Sequence, residues 1–185
     1  FMGFPVLYFV VYRGFSWAQL RAYLGVRLPG LRDLAVVAAG LVGVFVLVVA
    51  TSQVIDLLGL TAAENNAGEV AQQSPTLGAL LVVASLLVIG PCEETLFRGT
   101  VQNRLREAFS APTAITLTAV LFAAVHVTAL TGGLGARAVT IGVLLVPSFV
   151  FGIVYEYTEN LVVPTLIHGL WNALLFTSIL LAGTV

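Results

Sequence analysis

Glu93 and Glu94 stand together just past an apolar run, 77–91, and Arg98 follows four residues after Glu94. An ionisable side chain inside a bilayer costs roughly 3 kcal/mol on insertion scales, so it turns toward other helices, finds a partner and serves a function. Both histidines of the chain also lie in apolar surroundings, His126 in LFAAVHVTAL and His168 in VVPTLIHGLWNALLF, with Asn172 four residues beyond His168. A carboxylate, two imidazoles and an amide are sufficient to activate a water and stabilise an oxyanion once they converge from separate helices.

Helical geometry divides the roles. Consecutive residues diverge by about 100°, so Glu94 and Arg98 pair along one face while Glu93 points toward a different neighbour and is the freer carboxylate. The same spacing of four sets Asn172 on the face of His168 and Phe122 beneath His126, and Gly169 lets a neighbouring helix approach closely. Each group has a structural reading as well: a lone intramembrane His or Asn is often interhelical glue worth ~0.6 kcal/mol, and a Glu–Arg pair can simply lock helix register. Their concentration favours a site, because they are nearly all of the strongly polar side chains within the last four apolar segments. Cys92, the single cysteine, is read as a small packing residue, since two adjacent carboxylates disfavour the thiolate a nucleophile needs.

The elements that must position these groups are membrane helices. With 59% hydrophobic and 9% charged residues and a mean hydropathy of +1.04, the chain lies far from a soluble domain, where about 25% would be charged. Apolar segments run over 34–58, 76–97, 111–130, 138–156 and 161–184, with a partial one at 1–12 that is too short to span ~30 Å of hydrocarbon, so further chain is expected to precede it. They are too long and too uniformly apolar for the strands of a membrane barrel. The expectation is an all-α polytopic transmembrane bundle of about five full spans plus the partial N-terminal one. The third span is expected to continue as helix through Arg98 to Arg106, bent at Pro91. Residues 1–75 would supply N-terminal membrane helices and an Arg-rich loop, and 76–184 a core carrying the polar groups.

All eight basic residues are arginines. Arg13, Arg21, Arg27 and Arg32 crowd the first loop and Arg98, Arg104 and Arg106 follow the third span, whereas the 61–75 loop carries only Glu64 and Glu69. The positive-inside rule places the Arg-rich loops in the cytoplasm, with 157–160 on the same side and 131–137 on the other. Residues 13–32 read equally as a surface helix on the headgroups or a solvated connector. The net charge of −1 predicts no nucleic-acid binding. Simple span limits also set a difficulty: His126 lies ~22 Å along its helix from residue 111, while Glu93 lies toward the cytoplasmic end of its own, so the two would miss each other in depth unless the third span is long, tilted and extends beyond Arg98, or the fourth begins deeper than drawn.

Three stretches resemble, in order, the motifs of one family. EETLFR at 93–98 resembles EExxxR, FAAVH at 122–126 resembles FxxxH, and HGLWN at 168–172 resembles HxxxN. The family is the CAAX-protease and bacteriocin-processing group (CPBP, also ABI) of intramembrane proteases, which includes type II CAAX prenyl endopeptidases, and the resemblance covers about 76–184. It implies that Glu93, assisted by His126, activates water for peptide hydrolysis, that His168 and Asn172 stabilise the oxyanion, and that Glu94 and Arg98 form a supporting charge pair. It implies a peptide or lipidated protein as substrate, within the lipid bilayer, and a multi-pass location in the cytoplasmic membrane if the source is prokaryotic. For cytoplasmic, lipid-anchored substrates the cavity should open toward the Arg-rich side and between helices.

No metal is favoured. Zinc held by Glu93, His126 and His168 is the alternative, weakened by the lack of an HExxH pair that would preorganise it. A non-catalytic binding or immunity protein, or a transporter using the buried charges as an ion path, is the alternative from another class.

Overall fold

The computed structural model describes residues 3–182, all helix and loop apart from one isolated bridge between Asn65 and Leu130. The outer ends of the segments expected at 1–12 and 161–184 lie outside the described residues. Five helices are long and apolar enough to cross a membrane: α3 (Leu31–Leu57), α5 (Pro75–Arg106), α6 (Ala111–Ala129), α7 (Leu134–Thr158) and α8 (Val162–Ala182). Three shorter elements accompany them, α1 (Gly3–Val6, continuing in wider turns as Leu7–Tyr12), α2 (Trp17–Tyr23) and α4 (Asn66–Gln73). Five such helices make a multi-pass integral membrane protein, each satisfying its backbone groups internally in hydrocarbon.

The span expected at 76–97 is one 32-residue helix reaching Arg106. Ser74 caps it, its Oγ accepting from the Leu77 N–H at 3.3 Å, and Pro75 takes the first position, where no N–H is required. Wider turns flank Pro91, over Ser85–Ile89 and Thr95–Gln102. Such turns cluster at functional sites. Here they straighten a polar stripe, because in an ordinary α-helix each step of four residues advances by about 40°.

The 61–75 stretch, read from sequence as a loop, contains α4. Its N-cap is Asn65, whose Oδ1 accepts from the Ala67 N–H at 2.9 Å. Its apolar residues, Ala67, Val70 and Ala71, keep a helical spacing but are few and small in a polar stretch of eight, and only Ala71 is buried.

α3, α7 and α8 share a core of Val37, Val44, Phe151, Val154, Val163, Ile167 and Trp171. α5 crosses α8 where both are glycine: a Cβ on Gly169 would lie 2.9 Å from the Ser85 carbonyl oxygen, and one on Gly90 would lie 3.1 Å from the Gly169 nitrogen. That is the close approach the Gly169 position suggested, and it brings His168 alongside Glu93 and Glu94.

The loops sort to two ends of the bundle. At one, Arg27 pairs with Asp33 at 2.8 Å, Arg32 donates to the Tyr157 hydroxyl at 2.7 Å, Arg106 pairs with Glu156 at 2.9 Å, and the Leu161 N–H donates to the Gly25 carbonyl at 3.1 Å. Residues 13–30 are thus not a free connector: they contain a short helix at the surface, α2, exposed along Ser16–Gln19. They fold, through α2 and its Ser16–Gln19 capping box, into a layer over Phe9, Leu20, Leu24, Tyr155 and Leu161. At the other end the Ala63 N–H donates to the Ala136 carbonyl at 3.1 Å and the Thr131 N–H to that of Glu64 at 2.9 Å. The first loop and the 157–160 turn share an end, and 61–65 and 131–137 share the opposite one, as the arginine distribution predicts.

Candidate active site

Glu93 and His126 meet. The depth conflict expected from span limits disappears because α5 extends to Arg106: counted from the 107–110 turn, Glu93 lies 13 residues down one helix and His126 15 residues from Ala111 up the other, ~20 and ~22 Å at 1.5 Å per residue. Glu93 Oε2 is 3.7 Å from His126 Nε2 and 3.8 Å from His168 Nε2. This oxygen is buried and has no hydrogen-bond partner among the described residues.

The second nitrogen of each ring is tied back. His126 Nδ1 lies 2.6 Å from the Phe122 carbonyl oxygen, which can only accept, so Nδ1 donates. His168 Nδ1 lies 2.7 Å from Glu94 Oε1, an oxygen that also accepts from Arg98 Nη1 at 3.0 Å, and donates to it as well. Both Nε2 atoms and one oxygen of Glu93 therefore face one spot, at separations too long for direct hydrogen bonds.

The expected division of the two glutamates is visible in their surroundings. Glu93 keeps 17% of its side-chain exposure and lines a cleft, while Glu94 and Arg98 are fully buried. Arg98 Nη2 donates to Ser148, to the carbonyl oxygen at 2.9 Å and to Oγ at 2.6 Å, and its guanidinium lies over Phe122 and Phe151 at 4.8 and 5.3 Å. Phe122 also touches Phe97, His126 and His168, so the residue expected one turn beneath His126 is the hub against which both imidazoles rest. The Phe151 ring stacks on His168 at 4.9 Å. Cys92 is a free, half-buried thiol.

The cleft has a volume of about 420 Å³ and is walled by α5 to α8, with Asn172 on its surface one turn from His168. It runs from Glu93 past Ile89, Leu144, Leu175 and Ile179 to Asn65, Gly68 and Ala129. This is the end without the arginine cluster, contrary to the opening expected for cytoplasmic, lipid-anchored substrates. Beneath the site Arg98, Gln102 and Arg106 of α5 meet Ser148, Gly152 and Glu156 of α7 in three rungs.

Residues 75–174, more than half of the chain, match the family described as type II CAAX prenyl endopeptidase Rce1-like. The chain belongs to that family. No curated protein and no solved structure gives a significant match. The matched region takes in α5, α6, α7 and α8 as far as Leu174, so it spans every CPBP-like motif read from the sequence. CAAX-type peptidases act on proteins at membranes, and a bundle of five membrane-length helices with its polar groups turned inward suits that setting.

Sequence reasoning missed the Glu94–His168 contact, the seat that Ser148 provides for Arg98, and Asn65 at the cleft mouth. Ser148 had a signal: it follows Pro147 inside an apolar helix, where a hydroxyl is rare without a partner.

Proposed function

We propose that this protein is an intramembrane endopeptidase in which Glu93 is the general base that activates water. The observation that carries the reading is the convergence of His126 Nε2 and His168 Nε2 on one oxygen of Glu93 inside an apolar cleft. Water bound at this spot loses a proton to Glu93 as its oxygen attacks the carbonyl carbon of the scissile peptide. The tetrahedral oxyanion accepts from the Asn172 amide and from an N–H at His168 Nε2, and the Glu94 carboxylate that accepts from Nδ1 balances the charge of the doubly protonated ring. The proton held on Glu93 then passes, with His126 beside it, to the departing amine, and the tetrahedral intermediate collapses to a carboxylate and an amine. Arg98 holds Glu94 in place and touches no reacting atom. The substrate on this reading is a protein processed near its C-terminus at the membrane, in keeping with the family, with a lipidated chain as the first to be assayed.

Glu93→Gln keeps the size and loses the base. It should fold in the membrane as the parent does and lose about 10²- to 10⁴-fold in peptide cleavage, the range for a positioned acid–base group. Full activity in purified Glu93→Gln protein would reject the assignment.

Zinc is the second reading, because two imidazole nitrogens and a carboxylate oxygen are donors zinc accepts, and both Nδ1–H groups are tied back as in many metal sites. Among the described residues, however, no group of three His, Cys, Asp or Glu side chains has the spacing to hold a metal ion. Stoichiometric zinc in purified protein, lost together with activity in His126→Ala, would establish the metal and displace the water-only scheme.

A further inference from the structure

At the Arg-rich end two cavities, of about 310 and 540 Å³, meet at Ala22, Gly25 and Glu159 and form one groove between α2 and the 157–160 turn. Their free polar groups divide by kind. In the larger cavity they are donors. Arg21 Nε donates to the Val26 carbonyl at 3.0 Å, and its two terminal nitrogens have no partner among the described residues. Beside it the half-exposed Arg27 is fixed to the turn by its bond to the Thr158 carbonyl at 2.8 Å. In the smaller cavity the free groups are acceptors. Asn103 Nδ2 already donates to the Tyr23 and Gly99 carbonyls and to the Tyr155 hydroxyl, Tyr23 donates to Glu107, and Arg106 donates to Glu156 and to the Phe109 carbonyl. Asn103 Oδ1 and the Glu159 carboxylate are left to accept, and Glu159 has no ion pair among the described residues. Glu159 is also held against its backbone preference. With φ at 49° it is the one non-glycine residue of positive φ among the described residues, ending α7 where Gly or Asn is usual. Gly25 packs so closely on it that a Cβ there would lie 2.4 Å from the Glu159 carbonyl oxygen.

We propose that this groove binds the headgroup of a phosphoethanolamine lipid, its phosphate at Arg21 and Arg27 and its primary ammonium at Glu159. The chemistry follows from the division of free groups. A phosphate offers acceptors to the guanidinium forks, and an ammonium offers three N–H donors to a carboxylate and an amide oxygen. A choline headgroup has no N–H to give, and a glycerol headgroup has no positive charge. The lipid source follows from depth. Trp17 and Leu28, next in sequence to the lining residues Ala18 and Arg27, are 68% and 88% exposed, and Leu31, equally exposed, opens the membrane helix α3. Exposed Trp and Leu at the end of a membrane helix mark the level where acyl chains meet headgroups. The groove shares no residue with the cleft at Glu93 and is independent of the peptidase reading.

Native mass spectrometry of the full chain in detergent tests this, with short-chain phospholipids bearing ethanolamine, choline or glycerol headgroups as probes. The ethanolamine lipid should bind about fivefold more tightly than either of the others, the most that one exposed ion pair supplies. Glu159→Gln should erase that preference, and Arg21→Gln should weaken all three lipids alike through their common phosphate. Glu159→Asn separates binding from folding, because asparagine suits the left-handed backbone: its thermal midpoint should hold or rise while the preference for ethanolamine is lost. No preference for ethanolamine in the parent, a preference that survives Glu159→Gln, or unchanged binding in Arg21→Gln overturns the proposal. Tightest binding of the glycerol lipid would make this end a basic patch only and overturns it too. Soluble phosphoethanolamine that displaced the lipid at equal concentration would assign the groove to a free zwitterion and overturn the lipid as its occupant.

Discussion

Glu94 and Arg98 offer the sharpest test of how the site is held. Both are fully buried, 3.0 Å apart, and each has further partners: Glu94 accepts from His168, and Arg98 donates twice to Ser148. Replacing Glu94 with Gln leaves a buried guanidinium, and replacing Arg98 with Met leaves a buried carboxylate. Each single change should cost ~3–5 kcal/mol, the penalty for an uncompensated buried charge. At roughly 2–4 °C per kcal/mol for a chain of this size, the thermal midpoint in detergent should fall by about 6–20 °C. The double variant removes both charges, and methionine fills the guanidinium's place between Phe122 and Phe151, so most of that loss should return. Activity should not return with it. His168 would face a neutral amide in place of a carboxylate, and the charge on its ring would lose its counter-charge. The assay is thermal denaturation read beside peptide cleavage for the parent, both singles and the double. A double variant no more stable than the worse single would refute the pairing argument, and one with parental activity would refute the role given to Glu94 behind His168.

Other outcomes follow from the same geometry. Ser148→Ala removes one charge-assisted hydrogen bond from Arg98 and should lower stability by about 1.5–3 kcal/mol, with Ser148→Thr retaining most of it, as thermal midpoints will report. Gly169→Ala puts a methyl against the Ser85 carbonyl and should cost about 1–3 kcal/mol while reducing kcat, because the forced separation of α5 and α8 moves His168 from Glu93; cleavage kinetics and denaturation together check both effects. Phe122→Ala, which empties the space beneath both imidazoles, should cost about 3–5 kcal/mol in the same denaturation assay and abolish cleavage. At the Arg-rich end, burial and then the Glu107 carboxylate push the Tyr23 phenol up to about 12 from 10.0. Since the folded value is the higher, this contribution to stability is complete below pH 10 and is lost as the pH rises from 10 to 12. Ultraviolet titration of the phenols should show the Tyr23 transition move down in Glu107→Gln.

Hydropathy and spacing of four are local properties, so the sequence alone determined what depends on them: an all-helical membrane bundle, the continuation of the third span to Arg106, the pairing of Glu94 with Arg98, and the set of polar residues turned inward. The helix α4 escapes a reading based on hydropathy, since its eight residues are polar on average and its apolar face is only Ala67, Val70 and Ala71. What meets across the bundle was decided by the tertiary structure. Glu94 and His168 are 74 residues apart, and their contact depends on how closely α5 crosses α8, a distance fixed by Gly90 and Gly169 and by the backbone atoms facing them. Glu93 meets His126 because both are counted from one turn between α5 and α6, a relation invisible when each span is centred separately in the bilayer. The three rungs beneath the site are furthest from the sequence, because each joins α5 to α7 across fifty positions.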